Sequence, residues 1–307
     1  MNKELSVIFL GTPDFAVASL KALLDAGVRI VAVVTAPDKP AGRGMKLQQS
    51  AVKQFAVTKN IPVLQPVKLK SPEFINELKS YQADLQVVIA FRMLPEVVWS
   101  MPRLGTINLH ASLLPDYRGA APINWAIING ETKTGVSTFL LKHEIDTGDI
   151  IQKQEVDITP TMNAGELHDL LMHVGADVMV KTVQAVAENN YSPIPQKSDS
   201  QKHAPKLFTA DCKIDWSKPG IEIYNKIRGL NPYPGAFTEV NRSILKIYES
   251  VFEPGMHNLN IGMIETEHGK NPYIRFAVQN GWIYAITVQL EGKKRMKVEE
   301  LLRGWRV

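Results

Sequence analysis

The chain reads as an α/β domain followed by a smaller antiparallel β domain, and three observations carry that reading. Apolar, β-prone runs alternate with helically spaced segments from Ser6 to His110, the rhythm of a parallel sheet covered by helices. The texture then changes at Asn189-Asn190-Tyr191-Ser192-Pro193-Ile194-Pro195, where a polar, proline-bearing stretch running to Lys206 has no apolar period. Beyond it, strand-like runs dominate and are separated by turn residues. A chain of 307 residues, 45% hydrophobic and 21% charged, suffices for two domains with their own cores.

In order, residues 6–10 form the first predicted strand, Gly11-Thr12-Pro13-Asp14 a turn, and residues 15–26 a helix stopped by Gly27. A strand at 30–35, a helix at 71–81, a continuously apolar strand at 85–90 and a strand at 106–110 follow. Strands at 135–141 and 150–158 flank a turn at Asp146. A long helix over 164–187 opens on a capping box of Asn163 and Glu166, with Leu167, Leu170, Leu171, Val174 and Val178 on one face. The second domain holds a short helix at 221–228 and strands at 236–240, 243–251, 273–279 and 282–290, which suits a small antiparallel barrel or sandwich. The expected division is 1–189 for the N-terminal domain, 190–207 for a linker and 208–307 for the C-terminal domain.

Composition excludes several classes. A lone cysteine, Cys212, makes no internal disulfide, so a reducing cytoplasm is the expected location. The opening residues have the look of neither a secretory leader nor a membrane anchor. Gly11 opens a helix after a first strand, but Gly-x-Gly-x-x-Gly is absent, which argues against a nicotinamide site. The histidines show no metal-ligand spacing, so no metal is expected. A net charge of +4 permits a polyanionic partner without requiring one.

The chemistry concentrates in Asn108-Leu109-His110-Ala111-Ser112-Leu113-Leu114-Pro115-Asp116-Tyr117-Arg118-Gly119 and in Asp146-Thr147-Gly148-Asp149. Two apart on a strand, Asn108 and His110 share a face at its C-terminal end, where open α/β sheets bind ligands. An amide, an imidazole and a carboxylate suit acyl transfer to an amine, a reaction that builds an oxyanion and sheds a proton. Asn108 and protonated His110 are candidate oxyanion donors, and Asp146 is placed to orient His110 or to take the proton through water. Cys212 lies far away in sequence, and no covalent acyl-enzyme is needed.

At these residues the chain resembles the 10-formyltetrahydrofolate-dependent formyltransferase family. The likeness runs almost end to end, through Gly11-Thr12-Pro13-Asp14-Phe15, Pro37-Asp38-Lys39-Pro40-Ala41-Gly42-Arg43-Gly44, the two motifs above, Lys206-Leu207, Ile214-Asp215-Trp216-Ser217 and Asn231-Pro232-Tyr233-Pro234-Gly235. The resemblance implies a Rossmann-like formyltransferase domain followed by an OB-like antiparallel β-barrel. It implies formyl transfer from 10-formyltetrahydrofolate to the α-amino group of methionine on initiator tRNA, by a monomer. Asn108, His110 and Asp146 match the family's catalytic trio, and Ser112, Leu113, Leu114 and Pro115 its folate-contacting loop. Residues 87–94 match the stretch bordering the pterin, with Phe91 and Arg92 standing where many relatives have Tyr-Gly. The loop carrying Lys39, Arg43 and Lys46 corresponds to a basic insertion at the tRNA acceptor end, where a guanidinium both binds phosphate and stacks on bases. Lys293 and Lys294, with Arg295 and Lys297, form a second basic cluster able to track a nucleic-acid backbone. The nearest rival acceptor is an amino sugar nucleotide, against which the basic Pro-Ala-Gly-Arg-Gly loop argues.

Overall fold

The computed structural model describes residues 5–41, 46–196 and 202–306. In chain order its first elements are β1 (Ser6–Gly11), α1 (Asp14–Asp25), β2 (Arg29–Val34), β3 (Lys39–Ala41), β4 (Lys46–Gln48), α2 (Ala51–Thr58) and β5 (Val63–Leu64). Next come α3 (Pro72–Ser80), β6 (Leu85–Ile89), α4 (Glu96–Trp99), β7 (Thr106–His110), β8 (Arg118–Gly119), α5 (Pro122–Ile128), β9 (Lys133–Leu140) and β10 (Ile150–Asp157). The remainder are α6 (Ala164–Ala187), β11 (His203–Ala204), α7 (Gly220–Gly229), β12 (Ala236–Val240), β13 (Ser243–Pro254), β14 (Ile264–Glu267), β15 (Tyr273–Val278), β16 (Gly281–Leu290), β17 (Met296–Lys297) and α8 (Val298–Leu302).

These elements form two compact units that interleave in sequence. One comprises Met1–Arg118, Gly135–Val156 and Asp169–Lys202, the other Gly119–Thr134, Asp157–His168 and His203–Val307. Residues 119–134 join the second unit through packing no local pattern announces: the Asn124 amide donates to the Gly229 carbonyl at 2.7 Å, and Ile128 lies against the C-terminal core.

In the first unit the sheet order is β10-β9-β7-β6-β1-β2-β5. The ladders β5-β2-β1-β6-β7 are parallel, as alternation with helices predicts, but β9 pairs antiparallel with β7. Apolar periodicity reports burial and not direction, which is why the sequence does not show this reversal. From β1 the chain moves out through β2 to β5 and returns to β6 on the other side of β1. That switch opens a crevice at the carboxyl ends of the strands, the row in which β7 ends at His110.

Helix α6 begins as its capping box requires: the Asn163 side chain accepts from the Gly165 and Glu166 N–H groups at 2.8 and 3.0 Å, and Glu166 accepts from the Asn163 N–H at 2.9 Å. Leu167, Leu171 and Val178 of its expected apolar face are buried, along with Met179 and Val183, whereas Leu170 is exposed. By length and composition α6 alone among the described helices would cross a membrane, yet its buried face makes it a core helix. Gly175 lets it approach β7 closely, since a Cβ there would sit 2.8 Å from Leu109 Cδ2.

The second unit carries the ladder β12-β13-β16-β15-β14, with β17 on β16 and every pairing antiparallel. Register shifts around Glu249 bend the 12-residue β13. Its core includes Ile227, Leu245, Ile247, Ile274 and Ile283, and Trp216 stacks on Phe276 with ring centroids 4.2 Å apart. Cys212 is buried here, and burial pushes its thiol up, away from the thiolate form a nucleophile needs.

Candidate active site

Strand β7 presents Asn108 and His110 on one face, while Leu109 packs toward α6 from the other. Asn108 is half-buried, opposite Val88 and Phe139 in the neighbouring strands, and its side-chain amide makes no hydrogen bond to the described residues. His110 is only 7% exposed. Its Nε2 lies 2.8 Å from the Tyr117 carbonyl. A carbonyl only accepts, so Nε2 carries the proton and Nδ1 is the atom left for chemistry. Nδ1 faces Asp146 Oδ2 at 3.8 Å, too long for a direct hydrogen bond.

Asp146 sits in the loop between β9 and β10 in the left-handed backbone region, at φ 55°. Such a conformation in a non-glycine residue needs support from its surroundings. Here the Leu140 N–H donates to the Asp149 carbonyl at 3.1 Å and Thr147 Oγ1 to the Glu144 carbonyl at 3.0 Å. Gly148 passes so near the end of β9 that a Cβ would fall 1.6 Å from the Leu140 carbonyl oxygen. From 50 residues further along the chain, Gln196 Nε2 donates to the carbonyls of Asp146 at 2.9 Å and Gly148 at 2.7 Å.

The remaining predicted site residues divide by burial. Ser112 and Leu114 are fully buried and serve packing: Ser112 Oγ donates to the Asp116 carbonyl at 2.6 Å, and Leu114 joins Phe139 and Ile150. Ser137 Oγ braces the same turn, donating to the Ser112 carbonyl at 2.7 Å and accepting from the Leu114 N–H at 3.0 Å. Of the four residues matched to a folate-contacting loop, Leu113 and Pro115 are the two with partly exposed side chains. Lys153, which carries no motif, donates to the Leu114 carbonyl; burial lowers its pKa against the pull of Asp116.

Phe91 packs on the core under β6, and the Arg92 guanidinium donates to the Val67 carbonyl at 2.9 Å and to that of Pro66. That engagement fixes Arg92 on the protein's own backbone. Lys39 is exposed on a two-stranded hairpin with β4, whose first residue is Lys46; Arg43 lies outside the described residues. Lys293 and Lys294 are both exposed, with Lys294 3.4 Å from Glu300. Among the described residues no three His, Cys, Asp or Glu side chains cluster as metal ligands.

The family model described as "Formyl transferase" matches residues 4–183, and that described as "Formyl transferase, C-terminal domain" matches residues 206–306. The methionyl-tRNA formyltransferase of Bacteroides fragilis is 52% identical over 99% of this chain and 97% of its own. That of Phocaeicola vulgatus is 53% identical over the same shares, 99% and 97%. Among solved structures, an N-formyltransferase from Helicobacter canadensis in complex with folinic acid and dTDP-3-aminofucose superposes with a TM-score of 0.68, at 22% identity, over 92% of this chain and 98% of that one. With both parts of the chain matched and near relatives spanning its whole length, the protein belongs to the formyl transferase family.

Proposed function

We propose that this enzyme transfers the formyl group of 10-formyltetrahydrofolate to the α-amino group of methionyl initiator tRNA, acting in the cytoplasm as a monomer. The observation that carries the reading is the full-length similarity to methionyl-tRNA formyltransferases. The structural neighbour in complex with dTDP-3-aminofucose supports the fold alone. In this reading residues 1–189 form the catalytic domain, 190–207 the linker and 208–307 the tRNA-binding domain, a division supported by the spans of the two family matches.

The proposed chemistry is direct. The amine nitrogen attacks the formyl carbon, whose oxygen becomes an oxyanion; the amine loses a proton, and the carbon–N10 bond breaks as N10 gains one. The Asn108 amide, uncommitted to other described residues, donates to the oxyanion. His110 Nδ1 gives or receives the proton on the face toward Asp146. Leu113, Pro115 and Phe91 border the folate. Lys39, Arg43 and Lys46 meet the acceptor end of the tRNA, and Lys293 and Lys294 its backbone.

The test incubates the protein with 10-formyltetrahydrofolate and methionyl initiator tRNA, with parallel reactions holding an amino sugar nucleotide or no acceptor. Formylmethionyl-tRNA is the expected product. Formylation of the sugar alone, or folate deformylation unaffected by tRNA, would overturn the assignment.

A further inference from the structure

Gln196 lies within the polar stretch read from sequence as a linker, yet all four hydrogen-bonding positions of its amide are occupied. Its Oε1 accepts from Arg118 Nε at 3.1 Å and Nη2 at 2.6 Å, and its Nε2 donates to the Asp146 and Gly148 carbonyls. The amide has one orientation, because reversal would face its NH2 to a guanidinium and its oxygen to two carbonyls. Mutual backbone bonds between Ile194 and Ile150, at 2.9 and 2.8 Å, anchor this stretch beside the start of β10. Further along it, the Lys202 carbonyl accepts from the Tyr117 N–H at 2.8 Å, and the Tyr117 carbonyl is the group that holds His110 Nε2.

We propose that Gln196 is a positioning residue for the reaction, clipping the Asp146 turn to Arg118 and so setting the separation between Asp146 and His110. The inference rests on the reading of Asp146 and His110 as catalytic. Asp146 occupies a left-handed backbone conformation, and two of the three carbonyls across its turn converge on this single amide. Without it, the turn loses two of the bonds that hold the carboxylate at its distance from Nδ1, and displacements near 1 Å in such sites lower turnover by about 10²-fold.

The experiment measures kcat, both KM values and thermal unfolding for full-length Gln196→Ala and Gln196→Glu, alone and combined with Asp146→Ala, using single-turnover kinetics for the slow variants. The expected result is a loss in kcat of about 10- to 100-fold with KM values within about 2-fold. Gln196→Glu, which keeps an acceptor for Arg118 but cannot donate to the turn, should fail as alanine does. In the Asp146→Ala background the same substitutions should change kcat by less than about 2-fold, since a residue acting through Asp146 has nothing left to position. Should the alanine variant unfold, Gln196→Met keeps the side chain's length and tests the same bonds. An equal fold-loss in both backgrounds, unchanged kcat, or a rise in KM alone overturns the proposal. If Asp146→Ala itself turns over normally, the catalytic reading falls as well; if it is slow while the Gln196 effects are additive, only the positioning role falls.

Discussion

The two members of the His110–Asp146 pair are held in opposite ways. His110 ends a strand laddered to β6 and β9, and its ring is fixed by a carbonyl seven residues away. Asp146 stands on a loop with a left-handed backbone, held by the close pass of Gly148 and by an amide 50 residues distant. One half of the site is thus a by-product of sheet formation, and the other depends on contacts that close late in sequence. The strand half should tolerate changes around it, whereas the loop half should convert small displacements into lost turnover.

The largest expected effect comes from removing the groups themselves. Asn108→Ala or His110→Ala should lower kcat by about 10²-fold or more while tRNA binding, followed by gel shift, stays near wild type. A parallel loss of binding would break the assignment of these residues to chemistry.

The contrast between the halves is sharpened by two glycine substitutions. Gly148→Ala sets a methyl against the Leu140 backbone and must move the Asp146 turn, so kcat should fall about 10-fold or more. Gly175→Ala instead meets the Leu109 side chain behind β7, which can give way; its cost should appear as about 1–3 kcal/mol in denaturant unfolding with kcat nearly unchanged. Equal effects on kcat would erase the distinction.

The smallest effect on turnover belongs to Asp84, just before β6. Burial pushes its carboxyl up, but the Ser6 backbone N–H, the Arg103 guanidinium and the Ser6 hydroxyl outweigh burial and hold its pKa at about 2. A folded pKa below the unfolded value of about 3.9 stabilises the protein above pH 4, and that stability is lost as pH falls from about 5 toward 2. Asp84→Asn should remove on the order of 2 kcal/mol at pH 7 and much less near pH 2, read by urea unfolding, with kcat preserved.

Legibility followed the range of the interactions. Helix α6 was readable because its cap spans three residues and its apolar face repeats over several turns, and β7 because its five residues end in the motif. Helix α2, capped by Ser50, was not expected: eight residues give too few repeats of the helical period. Strand β14, with the polar sequence Ile-Glu-Thr-Glu, is an edge paired among the described residues only with β15 and lacks the apolar alternation that marks a strand. Residues 112–115 were legible as a motif, but the burial of Ser112 and Leu114 depends on Ser137 and Phe139, some 25 residues on. Gln196 gave no local signal, since its partners are 48 to 78 residues away.

The bond between the His110 ring and the Tyr117 main chain has a consequence for how the imidazole can behave. Because the acceptor is peptide and not side chain, replacing the phenol leaves the ring's outer nitrogen still tethered, provided that the backbone keeps its φ of 59°. The imidazole cannot rotate to trade one nitrogen for the other without surrendering that tether, so in the proposed reaction it would take up and release a proton at Nδ1 alone.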